Sequence, residues 1–364
     1  MSAQPLNARS PLSAQTGGRS AGSAIAPAGA IPRALEDTLR LLFRPFDGWK
    51  WIQLSALCLL LGGGATSAAL QWSLGALPVD LRFTDWVASS RQYVEQHPFL
   101  IFLIIAFALA LGIAFLYLRS VLRFVLVDSL VRMVVEPGSS WSSMRPLGQS
   151  YFPWLVGTLA ALGLTFGVIV IAALPRLRTA ALPGAPHPIA TALLALLLAL
   201  VIILGLVVTL LIMLTDDLVV PLMYAGYVSL PSAWEELWKK MRHDPASFIL
   251  YVLLRFTLSV GVSVAVLFFL IPVLIGIFSI AIIVAALVVL SLHLVGLTWA
   301  WNLFTISLAF VGLLLLSAML LVLLGVAGMP GQVFLQSFGL RFIAARSSSL
   351  RDRCYASRAK EGFQ

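Results

Sequence analysis

Charge is what this chain has least of. Asp, Glu, Lys and Arg make up 11% of its 364 residues, against about 25% in an ordinary soluble domain. Apolar residues make up 60%, and the mean hydropathy is +0.99. A water-soluble fold of this length would have to expose a largely apolar surface. That excludes a soluble enzyme, a disordered chain and a nucleic-acid-binding domain, and leaves an integral membrane protein. Cysteine is nearly absent too: Cys58 lies in an apolar stretch and Cys354 in a basic C-terminal segment. Thiols in different layers build no disulfide framework. His97, His187, His243 and His293 are scattered and show no metal-ligand spacing. No phosphate-binding Gly-rich loop, Gly-x-Ser-x-Gly elbow or His-Glu-x-x-His is present. The expectation is a non-enzymatic protein without cofactor or metal. Residues 1–30 are rich in Ser, Ala, Gly, Pro and Gln and lack the apolar run of a secretory signal. They read as a disordered cytoplasmic tail.

What the chain has in excess is apolar runs of about 20 residues, the length of a membrane span. Trp51–Leu74, Phe99–Leu118, Tyr151–Leu174, Ile189–Leu214, Phe248–Ile271 and Leu303–Leu324 are the expected spans. Val273–Leu297 is also long enough. Charge decides how to treat it. Basic residues are rich up to Lys50, sparse at Arg82 and Arg91, and rich again over Arg119–Arg145. They thin out at Arg176 and Arg178, return at Lys239, Lys240 and Arg242, and fill the tail from Arg341. This alternation puts both termini on the cytoplasmic side. The block between residue 246 and the tail then crosses an even number of times. Val273–Leu297 is therefore expected as a re-entrant or non-crossing segment, with Trp299 and Trp301 at the interface. The competing count is seven spans with an external tail. The expected fold class is an all-α polytopic bundle: a tail at 1–34, six spans as three hairpins over 35–345, and a basic cytoplasmic tail at 346–364. The net charge of +9 reads as positive-inside charge, with no nucleic-acid partner.

Weak self-similarity supports the hairpins. Val127-Asp128-Ser129-Leu130-Val131 resembles Thr215-Asp216-Asp217-Leu218-Val219, and each precedes a Trp-containing stretch, at Trp141 and Trp234. Ser232–His243 reads as an interfacial amphipathic helix. Ser232 and Glu235 have capping-box spacing, Glu235–Lys239 and Glu236–Lys240 have ion-pair spacing, and Trp234, Leu237, Trp238 and Met241 share a face. Asp244-Pro245 ends it. Leu35–Trp51, broken by Pro45 and Gly48, has the same character.

Few residues could carry chemistry. Asp216 and Asp217 sit in a run that is apolar on both sides, ahead of Pro221. They are either an ion or proton site at a broken helix or, more simply, a helix end facing water. Arg255 lies about 12 Å into the fifth span at about 1.5 Å per residue, and Asp217 is its expected partner. His293 is a possible proton relay or a hydrogen-bonded core residue. Arg119 and Arg123, with Lys239 and Lys240, are candidate contacts for anionic headgroups. Gly163 and Gly167 have helix-packing spacing, and Gly62-Gly63-Gly64 allows the same.

The Arg119–Asp128 stretch, Thr215–Pro221 with Trp234 downstream, Arg255, and Met329-Pro-Gly-Gln-Val-Phe334 together resemble a group of uncharacterised multi-pass prokaryotic membrane proteins. These are distantly similar to the membrane domain attached to some glycerophosphodiester phosphodiesterases. The soluble phosphodiesterase domain is absent, so the resemblance implies a six-span bundle in a bacterial plasma membrane and carries no activity. The expected role is a scaffold for other membrane proteins or a protein that interacts with the lipid bilayer, anionic lipids included. The alternative is a transporter or channel for a small or lipidic substrate.

Overall fold

The computed structural model describes residues 27–44, 46–61, 96–180, 188–294 and 303–352. Every regular element among them is helical: α1 (Ala30–Phe43), α2 (Gly48–Leu60), α3 (Pro98–Arg132), α4 (Pro137–Ala180) and α5 (Pro188–Leu214) come first. A five-residue π-turn, Thr215–Val219, joins α5 to α6 (Val220–Gly226). Then come α7 (Leu230–His243), α8 (Pro245–Leu294) and α9 (Leu303–Ala344). Five helical segments are long and apolar enough to cross a membrane: α3, α4, α5 with α6, α8 and α9. Most of the first expected span, with Gly62, Gly63 and Gly64, lies outside the described residues, as do Trp299 and Trp301.

Local sequence explains the short elements. In α1 the buried residues are Ala30, Ala34, Asp37, Thr38, Leu41 and Leu42, a stripe at helical spacing. α2 starts at Asp47, whose extended backbone and carboxylate accepting from the Trp49 amide at 2.9 Å make an N-cap. α3 stops at Met133, in the left-handed region at φ 56°.

Burial divides each long helix into a packed part and a bare part. In α3, Phe99–Phe115 is exposed and Ser120–Val131 is buried. In α9, residues around Ile306–Val322 are exposed and the chain is buried from Met329 on. α8 runs the other way, with Phe248 and Tyr251 buried near its start and the 275–290 region exposed. The buried parts gather into one base, closed by α1, α2, α6 and α7. Packing continues past the tail boundary expected at 345: Ser347 and Leu350 are buried in it. The bare parts are apolar all round, as lipid-facing helices are.

Burying a Leu or Phe from water gains about 1.5–3 kcal/mol, but between helices in lipid that drive is lost, because lipid is as apolar as leucine. Close packing and polar pairs must therefore decide which faces meet. Gly148 of α4 shows the packing part. A Cβ there would lie 2.6 Å from Val121 Cγ2 and 2.8 Å from Val121 Cα, so only glycine lets α3 and α4 approach so closely.

Three expectations are corrected here. Val273–Leu297 does not turn back within the described residues. It continues α8 through Pro272 to Leu294, a single helix of 50 residues and about 75 Å at about 1.5 Å per residue. Proline at 272 removes one backbone donor and bends a helix without obliging it to reverse. Ser232 is not an N-cap: α7 starts at Leu230, with Ser229 at the cap and no side-chain cap bond, because Pro231 is at home in a first turn. Among the described residues, no atom lies within 4 Å of a Cβ at Gly163 or Gly167, so neither marks a close helix contact there.

Candidate functional site

The centre of the base is a set of three carboxylates, each served by one arginine and one tyrosine. Asp216 pairs with Arg123 of α3 and accepts from the Tyr151 hydroxyl of α4 at 2.7 Å. Asp217 accepts from Arg255 Nε at 2.6 Å and from the Tyr251 hydroxyl at 3.2 Å, both from α8. Asp128 of α3 pairs with Arg132 Nε at 2.7 Å and accepts from Tyr224 of α6 at 2.8 Å and from Ser140 Oγ at 2.6 Å. The three aspartates are at most 5% exposed. Charges buried this deeply are tolerated when paired and hydrogen-bonded, and here each negative charge has its own positive one.

The two similar motifs are cross-linked. Arg123, five residues before Asp128, reaches Asp216 in the second motif; Tyr224, eight residues after Asp216, reaches back to Asp128. Asp216 and Asp217 are adjacent but face different neighbours, since successive helical residues do not share a face. Asp216 looks to α3 and α4, and Asp217 to α8.

The π-turn holds both in place. Val220 N–H bonds to the Thr215 carbonyl five residues back. The next donor in that register is Pro221, which has no N–H, so the Asp216 carbonyl is left open. Gln336 of α9 fills it, with Nε2 3.2 Å from that oxygen. Gly339, one turn on, lets α9 lie against the turn. A Cβ there would sit 2.9 Å from the Asp217 carbonyl and 3.0 Å from Tyr251 Oη. The helix is thus widened at Pro221 and not ended. The simpler expectation of a helix end with both carboxylates facing water is overturned by their burial. Among the described residues, Asp217 Oδ1 has no hydrogen-bond partner.

The remaining predicted site residues are dispersed. His293 is exposed near the far end of α8, 38 residues beyond Arg255 and about 57 Å along the helix, so it is not part of the cluster. Arg123 is 12% exposed and holds Asp216; it is a counter-ion and not the headgroup contact expected from its basic neighbourhood. Arg119 is half-buried. Lys239 and Lys240 lie on α7 and pair with Glu235 and Glu236 at 2.7 and 2.8 Å. The exposed Glu235–Lys239 pair holds Glu235 below its usual carboxylate range and Lys239 above its usual range, in each case through the partner's hydrogen bond and charge.

The sequence reading missed the tyrosines, Gln336 and two peripheral clamps. In the first clamp, Arg341 forks onto Asp37 through Nε at 2.5 Å and Nη2 at 2.8 Å, joining α9 to α1. In the second, Arg346 lies 4.0 Å over the Phe342 ring, and its Nη2 is 3.5 Å from Asp244. Burial lowers the Arg346 pKa, while the Ser247 hydrogen bonds, ahead of the Arg346 charge, lower that of Asp244. One signal for the tyrosines was available: a phenol in an apolar helix needs a partner for its hydroxyl.

A family model described as a family of unknown function, DUF7544, matches residues 25–353. The chain belongs to this family. No curated protein and no solved structure matches it. The DUF7544 match begins ahead of α1 and ends beyond Leu350, so every residue of the base, including all three Asp–Arg–Tyr sets, lies within it. No link from DUF7544 to phosphodiesterases comes with the match. Among the described residues, no three His, Cys, Asp or Glu side chains gather where a metal could be held.

Proposed function

We propose that this DUF7544 protein is a non-enzymatic integral protein of a bacterial plasma membrane. In this reading it crosses six times with both termini cytoplasmic, and its base is a rigid platform at the cytoplasmic face for lipid and other membrane proteins. A likeness to the phosphodiesterase-linked membrane domains belongs to the same proposal. The observation that carries it is the pairing of the buried charges. Arg123, Arg132 and Arg255 neutralise Asp216, Asp128 and Asp217 one for one. The large grooves described on the helices are lined by other, almost wholly apolar residues. Buried charges paired one for one hold helices together, and removing one partner is strongly destabilising.

One observation favours the alternative of a transporter or channel. Among the described residues, the π-turn leaves Asp217 Oδ1 without a partner, and π-turns recur at functional sites. Flux measurements separate the two. Proteoliposomes carrying the protein should hold imposed proton, sodium and potassium gradients as well as empty vesicles do. A leak that disappears in Asp217→Asn would overturn the platform reading.

A further inference from the structure

The largest of the described grooves lies between α5 and α8, about 540 Å³ in volume, within the range of about 300–1,000 Å³ typical of ligand pockets. Leu206, Leu210 and Met213 line one wall, Val252 and Phe256 the other, and Met241 of α7 marks one end. The one polar side chain in the lining with a hydroxyl, Thr209, already donates to the Gly205 carbonyl at 2.7 Å. Nothing in the wall is left to hold a polar solute.

Its dimensions narrow the occupant. The groove follows α5 from Leu206 to Leu214 and α8 from Pro245 to Phe256, about 12 and 16 Å at about 1.5 Å per residue. That is one leaflet of a hydrocarbon core about 30 Å thick. An acyl chain lying along the leaflet matches that length and that apolar lining.

Charge stands at the mouth. The last turn of α7, beside Met241 and Pro245, carries Lys240, Arg242 and His243. Lys240 is paired with Glu236. Arg242 is exposed and stacks on Trp238 at 5.2 Å, and among the described residues it has no carboxylate partner. Its guanidinium donors are available to a phosphate at headgroup level.

We infer that the α5–α8 groove seats an acyl chain of an anionic phospholipid, with its headgroup on Arg242. This deepens the platform reading, which supplies the membrane orientation, by naming a lipid class and its place. The test is native mass spectrometry of the full chain. The protein is first held in nanodiscs of equal dioleoylphosphatidylglycerol and dioleoylphosphatidylcholine, then moved to detergent. One phosphatidylglycerol should remain bound, at about tenfold preference over phosphatidylcholine. Arg242→Gln, an exposed change, should keep the fold and erase the preference. Leu210→Trp, which fills the groove, should lower retention of both lipids. Equal retention of the two lipids by the unaltered protein would overturn the inference. So would unchanged selectivity in Arg242→Gln, or a dimer appearing in place of the lipid adduct. A gradient leak in proteoliposomes would overturn the platform reading and leave this site standing. Equal lipid retention would do the reverse.

Discussion

Asp216 and Asp217 share a peptide bond and belong to different interfaces, so their loss should be felt in different places. Asp216→Asn strands the Arg123 charge in a buried site, and removing one partner of a buried pair costs about 3–5 kcal/mol. Arg123→Gln strands Asp216 at a similar cost. The double variant, which leaves two neutral amides able to hydrogen-bond, should lose well under the sum, and the thermal midpoint in micelles reads that difference. Additive losses would mean that the two groups do not interact. The Asp217–Arg255 pair was legible in the sequence, because depth along the span put both at one level and a deep charge needs an opposite one. Arg123 was not. Its neighbours Arg119, Asp128 and Arg132 make it look like ordinary cytoplasmic charge, and only the approach of α5 shows that it turns inward. The tyrosine partners were hidden for the same reason: spacing along one helix says nothing of what stands opposite.

The π-turn is an agreement between two elements. Pro221 withholds a donor and Gln336 supplies one. Gln336→Leu should cost about 1–3 kcal/mol, the usual penalty for a buried carbonyl left unpaired. In a Pro221→Ala background the backbone can bond the Asp216 carbonyl itself, and the same change should cost less than half as much. Equal costs in both backgrounds would show that Gln336 acts elsewhere. Proline after an acidic pair signalled a disturbed helix, but whether it would break or widen depended on a glutamine 120 residues away.

At the junction of α7 and α8, Asp244 titrates below its usual range. A carboxylate lowered in the folded state gives stability that is present above its unfolded pKa of about 3.9 and lost as pH falls through the folded value. Asp244→Asn should therefore flatten the fall in melting temperature below about pH 4 while leaving neutral behaviour nearly unchanged. An identical acid slope in the variant would remove Asp244 from that account.

For the molecule as a whole, helical class and membrane character were legible from composition and run length. Where the helices stop was not. Apolar runs mark what lipid will accept, and Met329–Ala344, beyond the span expected at Leu303–Leu324, continues α9 and packs into the centre of the base. Val273–Leu297 was misjudged because charge arithmetic counts crossings and is blind to helix continuity. The topology remains measurable: a reporter fused after Gln364 should signal from the cytoplasm, and an extracytoplasmic signal would overturn the six-span count. Gly148→Ala should loosen the base by about 1–3 kcal/mol, the usual cost of overpacking, and speed proteolysis around residues 133–147. Unchanged protection would mean that α3 and α4 can separate without consequence.

The Asp37–Arg341 fork joins residues 304 positions apart. During synthesis Asp37 emerges early and finds its counter-ion only after nearly the whole chain has been made. Every long helix must already be delivered to the bilayer when that clasp closes. A chain truncated at Leu340 would keep its long apolar helices and lose Arg341 together with the buried Phe342, Ile343 and Leu350, so the base can be completed only by the last residues of the match to be made.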